Sequence, residues 1–215
     1  MSCCQSCSLQ GTNEFFTDQA KRYLKEFKKK GLGKEQKYLI EGIASQGIAG
    51  KTVLEIGCGV GGLHLSLLKQ GAVFATGIDI SEGMIAGAKE LSKELNLVEK
   101  TQYHVGDVIQ LNKAISDADI VVLDKVVCCY EDVFKLLSIS GNRTKQTYAF
   151  SYPNPNILVQ ISFKGLIALR TLFRGKFRPY WHDWSALIKT LETQGFKQTY
   201  TNNTLLWNVC VLTRK

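Results

Sequence analysis

The chain has 215 residues, 45% of them hydrophobic and 21% charged, with a formal net charge of +8 and seven cysteines. That is enough for one α/β domain with a sizeable core and short for two, and the composition is that of a globular protein rather than a disordered or fibrous one. No basic segment followed by an apolar run opens the chain, and the longest apolar patch, residues 157–169, is too short and interrupted to span a bilayer.

Residues 1–13 are polar and Cys-rich and read as a loose arm. In "FFTDQAKRYLKEFKKKG" the apolar residues at 16, 20, 23, 24 and 27 recur at helical spacing, and Gly31 and Gly33 end that helix. "KEQKYLIEGIASQG" is a second helix, closing at Gly47. The pattern then changes. "KTVLEIG" is a strand running into a glycine turn, "GGLHLSLLKQG" a helix, "AVFATGIDI" a second strand and "SEGMIAGAKELSKELN" a helix. "TQYHVGDV" and "DADIVVLDKVV" are the third and fourth strands, "YEDVFKLLSIS" a helix and "KQTYAFSYP" the fifth strand.

Such alternation predicts a parallel sheet with helices on both faces. Residues 154–182 break it and read as a helix-rich insertion, whose apolar residues at 157–159, 161, 163, 166, 167, 169, 172 and 173 cover much of a helix circumference and are expected to be buried as a lid. The helix "DWSALIKTLETQG" leads into "FKQTYTNN" and "LLWNVCVLTR", an antiparallel hairpin predicted to turn near Asn202 and Asn203. The chain divides into an arm with N-terminal helices, 1–48, and a ligand-binding domain, 49–215, with a lid at about 154–182.

The glycine turn has two readings. Gly57, Gly59 and Gly62 fit the G-x-G-x-x-G of dinucleotide binders. Glu55, Gly57, Gly59 and Gly61 fit the E-x-G-x-G-x-G of S-adenosylmethionine (SAM) binders. Both place the ligand at the carboxyl ends of the strands, with Asp79 available for ribose hydroxyls. Three features favour SAM. A carboxylate at Glu55 repels a pyrophosphate and suits an ammonium group. Asp107 can accept from an adenine amine while Val108 packs on the ring. A second substrate domain, usual in dehydrogenases, has no room. The expected cofactor-binding set is Glu55, Gly57, Cys58, Gly59, Gly61, Asp79, Ile80, Met84, Asp107, Val108 and Asp124.

With these motifs, residues from about 50 to 213 resemble a class I SAM-dependent methyltransferase. "MSCCQSC", "LDKVVCCYED" (123–132), "SYP" (151–153) and "FRPYWH" (177–182) resemble the magnesium-protoporphyrin O-methyltransferase-like branch and its uncharacterised bacterial relatives. At Cys129 and Glu131 the chain departs from the porphyrin enzymes, so porphyrin is not carried over as the substrate. The resemblance implies a Rossmann-like seven-stranded sheet of order 3-2-1-4-5-7-6 with the last strand antiparallel. It also implies a helical arm and a helical insertion after strand five that cap the substrate.

Methyl transfer needs alignment and exclusion of water more than a catalytic dyad. A base is required only for an acceptor that must lose a proton. His182 is the candidate base or, alternatively, a helix cap near Asp183. Tyr130 could orient an acceptor, and Cys129 lies beside it. His64 and His104 read as packing or surface residues. Tyr23, Phe27, Tyr152 and Trp181 are expected around an apolar acceptor. Residues 143–182 hold seven Lys or Arg and no acid; within them Arg170, Arg174 and above all Arg178 would select a negatively charged acceptor.

The leading expectation is therefore O-methylation of a small, acidic, partly apolar molecule. One alternative uses Cys3, Cys4, Cys7, Cys128 and Cys129 for a thiol, metal or metalloid substrate; no standard metal-site spacing is present, and the simpler reading is two buried, inert cysteines and a disordered arm. Another is a non-catalytic SAM-binding protein docked on a membrane or partner. No nucleic-acid motif is present, peripheral membrane contact would run through 156–178, and the chain would be a cytoplasmic monomer or homodimer with free thiols.

Overall fold

The structure, a computed structural model, describes residues 3–111, 114–172, 177 and 179–214, without the side chains of 3–9 and 170–172. Four central apolar runs make the core strands. β1 (Thr52–Ile56) is buried at four of five positions, and β4 (Ala118–Leu123) at five of six. A strand buried on both sides needs a cover on each face. Alternate side chains supply this: Leu54, Val121 and Leu123 enter one core, Val53, Ile120 and Val122 the other.

With β2 (Phe74–Asp79), β3 (Thr101–Val105), β5 (Thr144–Pro153), β6 (Phe196–Asn203) and β7 (Trp207–Arg214), the sheet has the order β3-β2-β1-β4-β5-β7-β6. Strands β1 to β5 are parallel, and β7 runs antiparallel between β5 and β6. This is the Rossmann-like architecture expected. One face is covered by α6 (Val133–Asn142) and α8 (Trp184–Thr193), through Leu136, Leu137, Leu187 and Leu191. The other is covered by α1 (Cys3–Lys30), α2 (Lys34–Ala44), α3 (Gly62–Lys69) and α4 (Glu82–Glu94). A short α5 (Val108–Leu111) follows β3, and α7 (Ile157–Leu172) follows β5. No helix among the described residues is long and apolar enough to cross a membrane.

Three expectations need correcting. The arm is helical from Cys3, not loose. No proline interrupts it, and Gln10 with Glu14 and Asn13 with Thr17 form hydrogen-bonded pairs one turn apart. The terminal hairpin turns at 204–206, where Thr204 N–H donates to Trp207 O at 2.7 Å; Asn202 and Asn203 are the last paired residues of β6. The insertion helix α7 does not bury its apolar circumference. Phe163 packs against the core and, with the partly exposed Leu166, lines the cavity described below, while Ile157, Leu158, Ile161 and Leu169 are more than half exposed. Only one stripe of a helix can meet a single neighbour.

Candidate active site

A cavity of about 600 Å³ opens at the carboxyl ends of β1 to β4, the switch point where such sheets take ligands. Gly57 (φ +66°) and Gly59 (φ +52°) turn the chain after β1. A Cβ on Gly57 would lie 2.4 Å from Val126 Cγ2, whereas the space over Gly59 is open. The turn is therefore packed against the β4 loop on one side and free to meet a ligand on the other.

Four carboxylates ring this turn. Glu55 is buried, and its Oε2 accepts from the His64 backbone N–H at 3.1 Å and His64 Nδ1–H at 2.6 Å. His64 Nε2 meets the Tyr103 hydroxyl at 3.0 Å. Burial raises the Glu55 carboxyl above its ordinary value, and His64 opposes this. Asp79 Oδ2 accepts from Gly59 N–H at 2.8 Å and Oδ1 from Ser81 N–H at 2.9 Å. Burial outweighs both bonds and pushes its pKa up to about 6. Asp107 Oδ1 accepts from Ile109 N–H at 3.0 Å and from the Tyr130 hydroxyl. Asp124 lies across β1 from Asp79. Its Oδ1 accepts from Ser151 Oγ at 2.6 Å and its Oδ2 from Gln36 Nε2 at 2.9 Å. Burial raises its carboxyl, against the nearby Lys125.

The structure brings Glu55, Gly57, Cys58, Gly59, Asp79, Ile80, Met84, Asp107, Val108, Asp124, Cys129 and Tyr130 to this one cavity, with Tyr23 and Phe27 from the arm helix. Gly61 starts α3 in the left-handed region, off the cavity lining. Tyr152, Trp181 and His182 do not join the others. They line a separate recess of about 240 Å³ on the β5–α8 side. Tyr152 stacks on Phe150 in the core. His182 Nε2 donates to Tyr130 O at 2.8 Å, and burial lowers its pKa. His182 thus lines the other recess and is not among the residues brought to this cavity.

Arg174 and Arg178 lie outside the described residues, as does the Arg170 side chain. The described lining carries eight carboxyl groups (Glu26, Glu35, Glu55, Asp79, Asp107, Asp124, Glu131, Asp132) and two ammonium groups, Lys30 and Lys125. The thiols gain no described metal site either. Cys128 and Cys129 both approach Lys125 O, and the Cys129 thiol is pushed well up, first by its bond with Cys128 and then by burial. Among the described residues no three His, Cys, Asp or Glu side chains gather to hold a metal. The side chains of Cys3, Cys4 and Cys7 lie outside the description.

Sequence reasoning missed the α2 contribution. Glu35 pairs with Lys125, whose Nζ also lies 5.4 Å from the Trp207 ring centroid. Glu35, Gln36, Lys125 and Trp207 all line the cavity. The adjacent pair Glu35 and Gln36, Lys125 and Trp207 lie far from one another in the chain, so no spacing could have linked them. Lys125 itself is left-handed, at φ +60°, a conformation uncommon for a lysine.

Residues 53–138 match a family profile described as a methyltransferase domain. Norajmaline N-methyltransferase from Rauvolfia serpentina is 34% identical over 83 residues, 39% of this chain and 27% of that protein. The match thus spans little more than a quarter of that curated relative. Magnesium protoporphyrin IX methyltransferase from Synechocystis PCC 6803, crystallised with SAH, superposes with a TM-score of 0.73 at 22% identity, over 97% of this chain and 100% of that one. An O-methyltransferase family protein from Burkholderia thailandensis gives 0.65 at 11% identity, over 82% and 55%.

Proposed function

We propose that this chain, which carries a methyltransferase domain at residues 53–138 in the class I SAM-dependent methyltransferase fold, transfers a methyl group from SAM to a small, partly apolar acceptor. The carrying observation is the glycine turn ringed by Glu55, Asp79 and Asp107. The residues fit the cofactor. The open face of Gly59 admits a ligand against the backbone. Asp79, its outer bonds already made to Gly59 and Ser81, keeps lone pairs for ribose hydroxyls. Glu55, held by His64, suits an ammonium group, and Asp107 beside Val108 suits an adenine. When bound, SAM supplies an electrophilic methyl on a sulfonium. The protein aligns the acceptor and excludes water, using Tyr23 and Phe27 from the arm and Phe163 from α7.

In this reading residues 1–48 close the cavity that 49–215 builds, and the protein works in the cytoplasm. The buried free thiols Cys58, Cys128 and Cys210 suit that reducing compartment. A second role is supported by α7. Its exposed Ile157, Leu158, Ile161 and Leu169, in a stretch without acids, fit an anionic bilayer surface.

Calorimetry with SAH and with NAD tests the cofactor. Binding of SAH in the micromolar range, about −8 kcal/mol, is expected; binding of NAD with none of SAH would overturn the reading. Turnover of labelled SAM against a panel of acceptors then identifies the substrate.

A further inference from the structure

The charge of the cavity points to a kind of acceptor different from the one the basic segment suggested. Buried carboxylates in proteins are paired with cations or satisfied by several donors. Asp79, Asp107 and Glu55 lie at β2, after β3 and at β1, the half of the sheet that cradles the cofactor in the reading above. Asp124 is different. It ends β4, on the other side of β1. Its two oxygens are held by neutral donors, Gln36 and Ser151. The adjacent ammonium of Lys125 bonds Glu35 and lies over the Trp207 ring; it acts on Asp124 only as a nearby charge. Among the described residues, no salt bridge reaches Asp124. The same cavity is lined by the aromatic rings of Tyr23 and Phe163, and by Trp207, over which the Lys125 ammonium lies. Carboxylate plus aromatic faces is the chemistry that selects an organic cation.

We propose that the methyl acceptor is an apolar or aromatic amine, bound as its ammonium form with Asp124 as counter-ion, and that the reaction is N-methylation. This rests on the cavity being a SAM site. In the transfer, the ammonium first gives one proton to water or to the Asp124 carboxylate. The freed nitrogen lone pair then forms the new N–C bond to the methyl carbon. The C–S bond breaks with its electron pair passing to sulfur, which becomes the neutral thioether of SAH. The product is the N-methylated ammonium, whose nitrogen now carries the positive charge that sulfur has lost, so charge and atoms balance.

The test uses the full chain, first titrated with SAH and then, SAH-loaded, with three probes of similar shape: 2-phenylethylamine, 3-phenylpropanoate and 4-ethylphenol. The amine is expected to bind about tenfold or more tightly than the carboxylate, the scale of one charge-assisted contact. Asp124→Asn is expected to remove that preference while SAH affinity stays within about twofold: the amide is isosteric and uncharged, its oxygen can still accept from Gln36, and its NH2 then faces the Ser151 hydroxyl, which can turn to accept. Preference for the carboxylate or the phenol in the wild-type protein overturns the proposal, and that comparison holds even if the variant does not fold. Loss of SAH binding in Asp124→Asn also overturns it, by returning Asp124 to the cofactor. Failure of the wild-type protein to bind SAH at all instead overturns the SAM reading beneath it.

Discussion

Asp79 is under two opposing demands. To accept from ribose hydroxyls it should be ionised, yet burial holds its proton to about pH 6, against 3.8 for the free side chain. A carboxyl whose folded pKa is raised favours the fold below the unfolded value, and that contribution is lost as pH rises through the folded one. The loss between pH 4 and pH 6 is about 3 kcal/mol for a shift of this size. Cofactor binding has the opposite sign, because the ligand needs the ionised form. SAH affinity is therefore expected to fall by about tenfold from pH 7 to pH 5, measured by calorimetry, with Glu55 adding repulsion from its side of the turn. Asp79→Asn should bind weakly at every pH; a wild-type affinity flat across this range would show that Asp79 does not meet the ligand. Gly57 makes a simpler prediction. Gly57→Ala adds a left-handed penalty of about 1–2 kcal/mol and places a methyl 2.4 Å from Val126 Cγ2. Both stability in urea and SAH binding should drop together.

At the scale of elements, the order of strands was legible because each strand is a short apolar run bounded by glycines or acids, as in "KTVLEIG" and "AVFATGIDI". The placing of Glu55, Asp79 and Asp107 in one cavity was legible for the same reason, since each lies within two residues of a strand end. The α2 wall of the cavity was not. Gln36 reaches Asp124 across 88 positions, and which helix face meets which strand end is decided by packing, not spacing. The lid was misjudged for a related reason. An all-round apolar helix suggests burial, but α7 packs against the core through Phe163 and leaves Ile157, Leu158, Ile161 and Leu169 more than half exposed. Its outer face gives a clear expectation. The protein should float with vesicles containing phosphatidylglycerol and stay behind with pure phosphatidylcholine, and the double substitution Leu158→Glu with Ile161→Glu should abolish flotation without changing SAH affinity. Equal flotation of the variant would remove α7 as the contact.

At the scale of the whole molecule, the arm and the sheet are one folding unit. Ala20 and Leu24 of α1 and Leu39 and Ile43 of α2 share a core with Leu63, Met84 and Val122, and Phe27 packs directly over Gly62 at the start of α3. The cavity takes lining from both parts, so a ligand bound there stabilises both at once. At a hundred times its dissociation constant, SAH should add about 2.7 kcal/mol. For a chain of this size each kcal/mol is worth about 2–4 °C, so the melting temperature should rise by about 5–10 °C. Calorimetric scanning should show a single transition that moves as a whole. Two transitions, with SAH moving only the upper one, would mean that residues 1–48 melt separately and do not enclose the ligand. Leu24→Ala sharpens the test. It should lower the melting temperature of the entire molecule, by the equivalent of about 2–4 kcal/mol, and reduce the SAH-induced rise, because loosening α1 withdraws Tyr23 and Phe27 from the cavity wall.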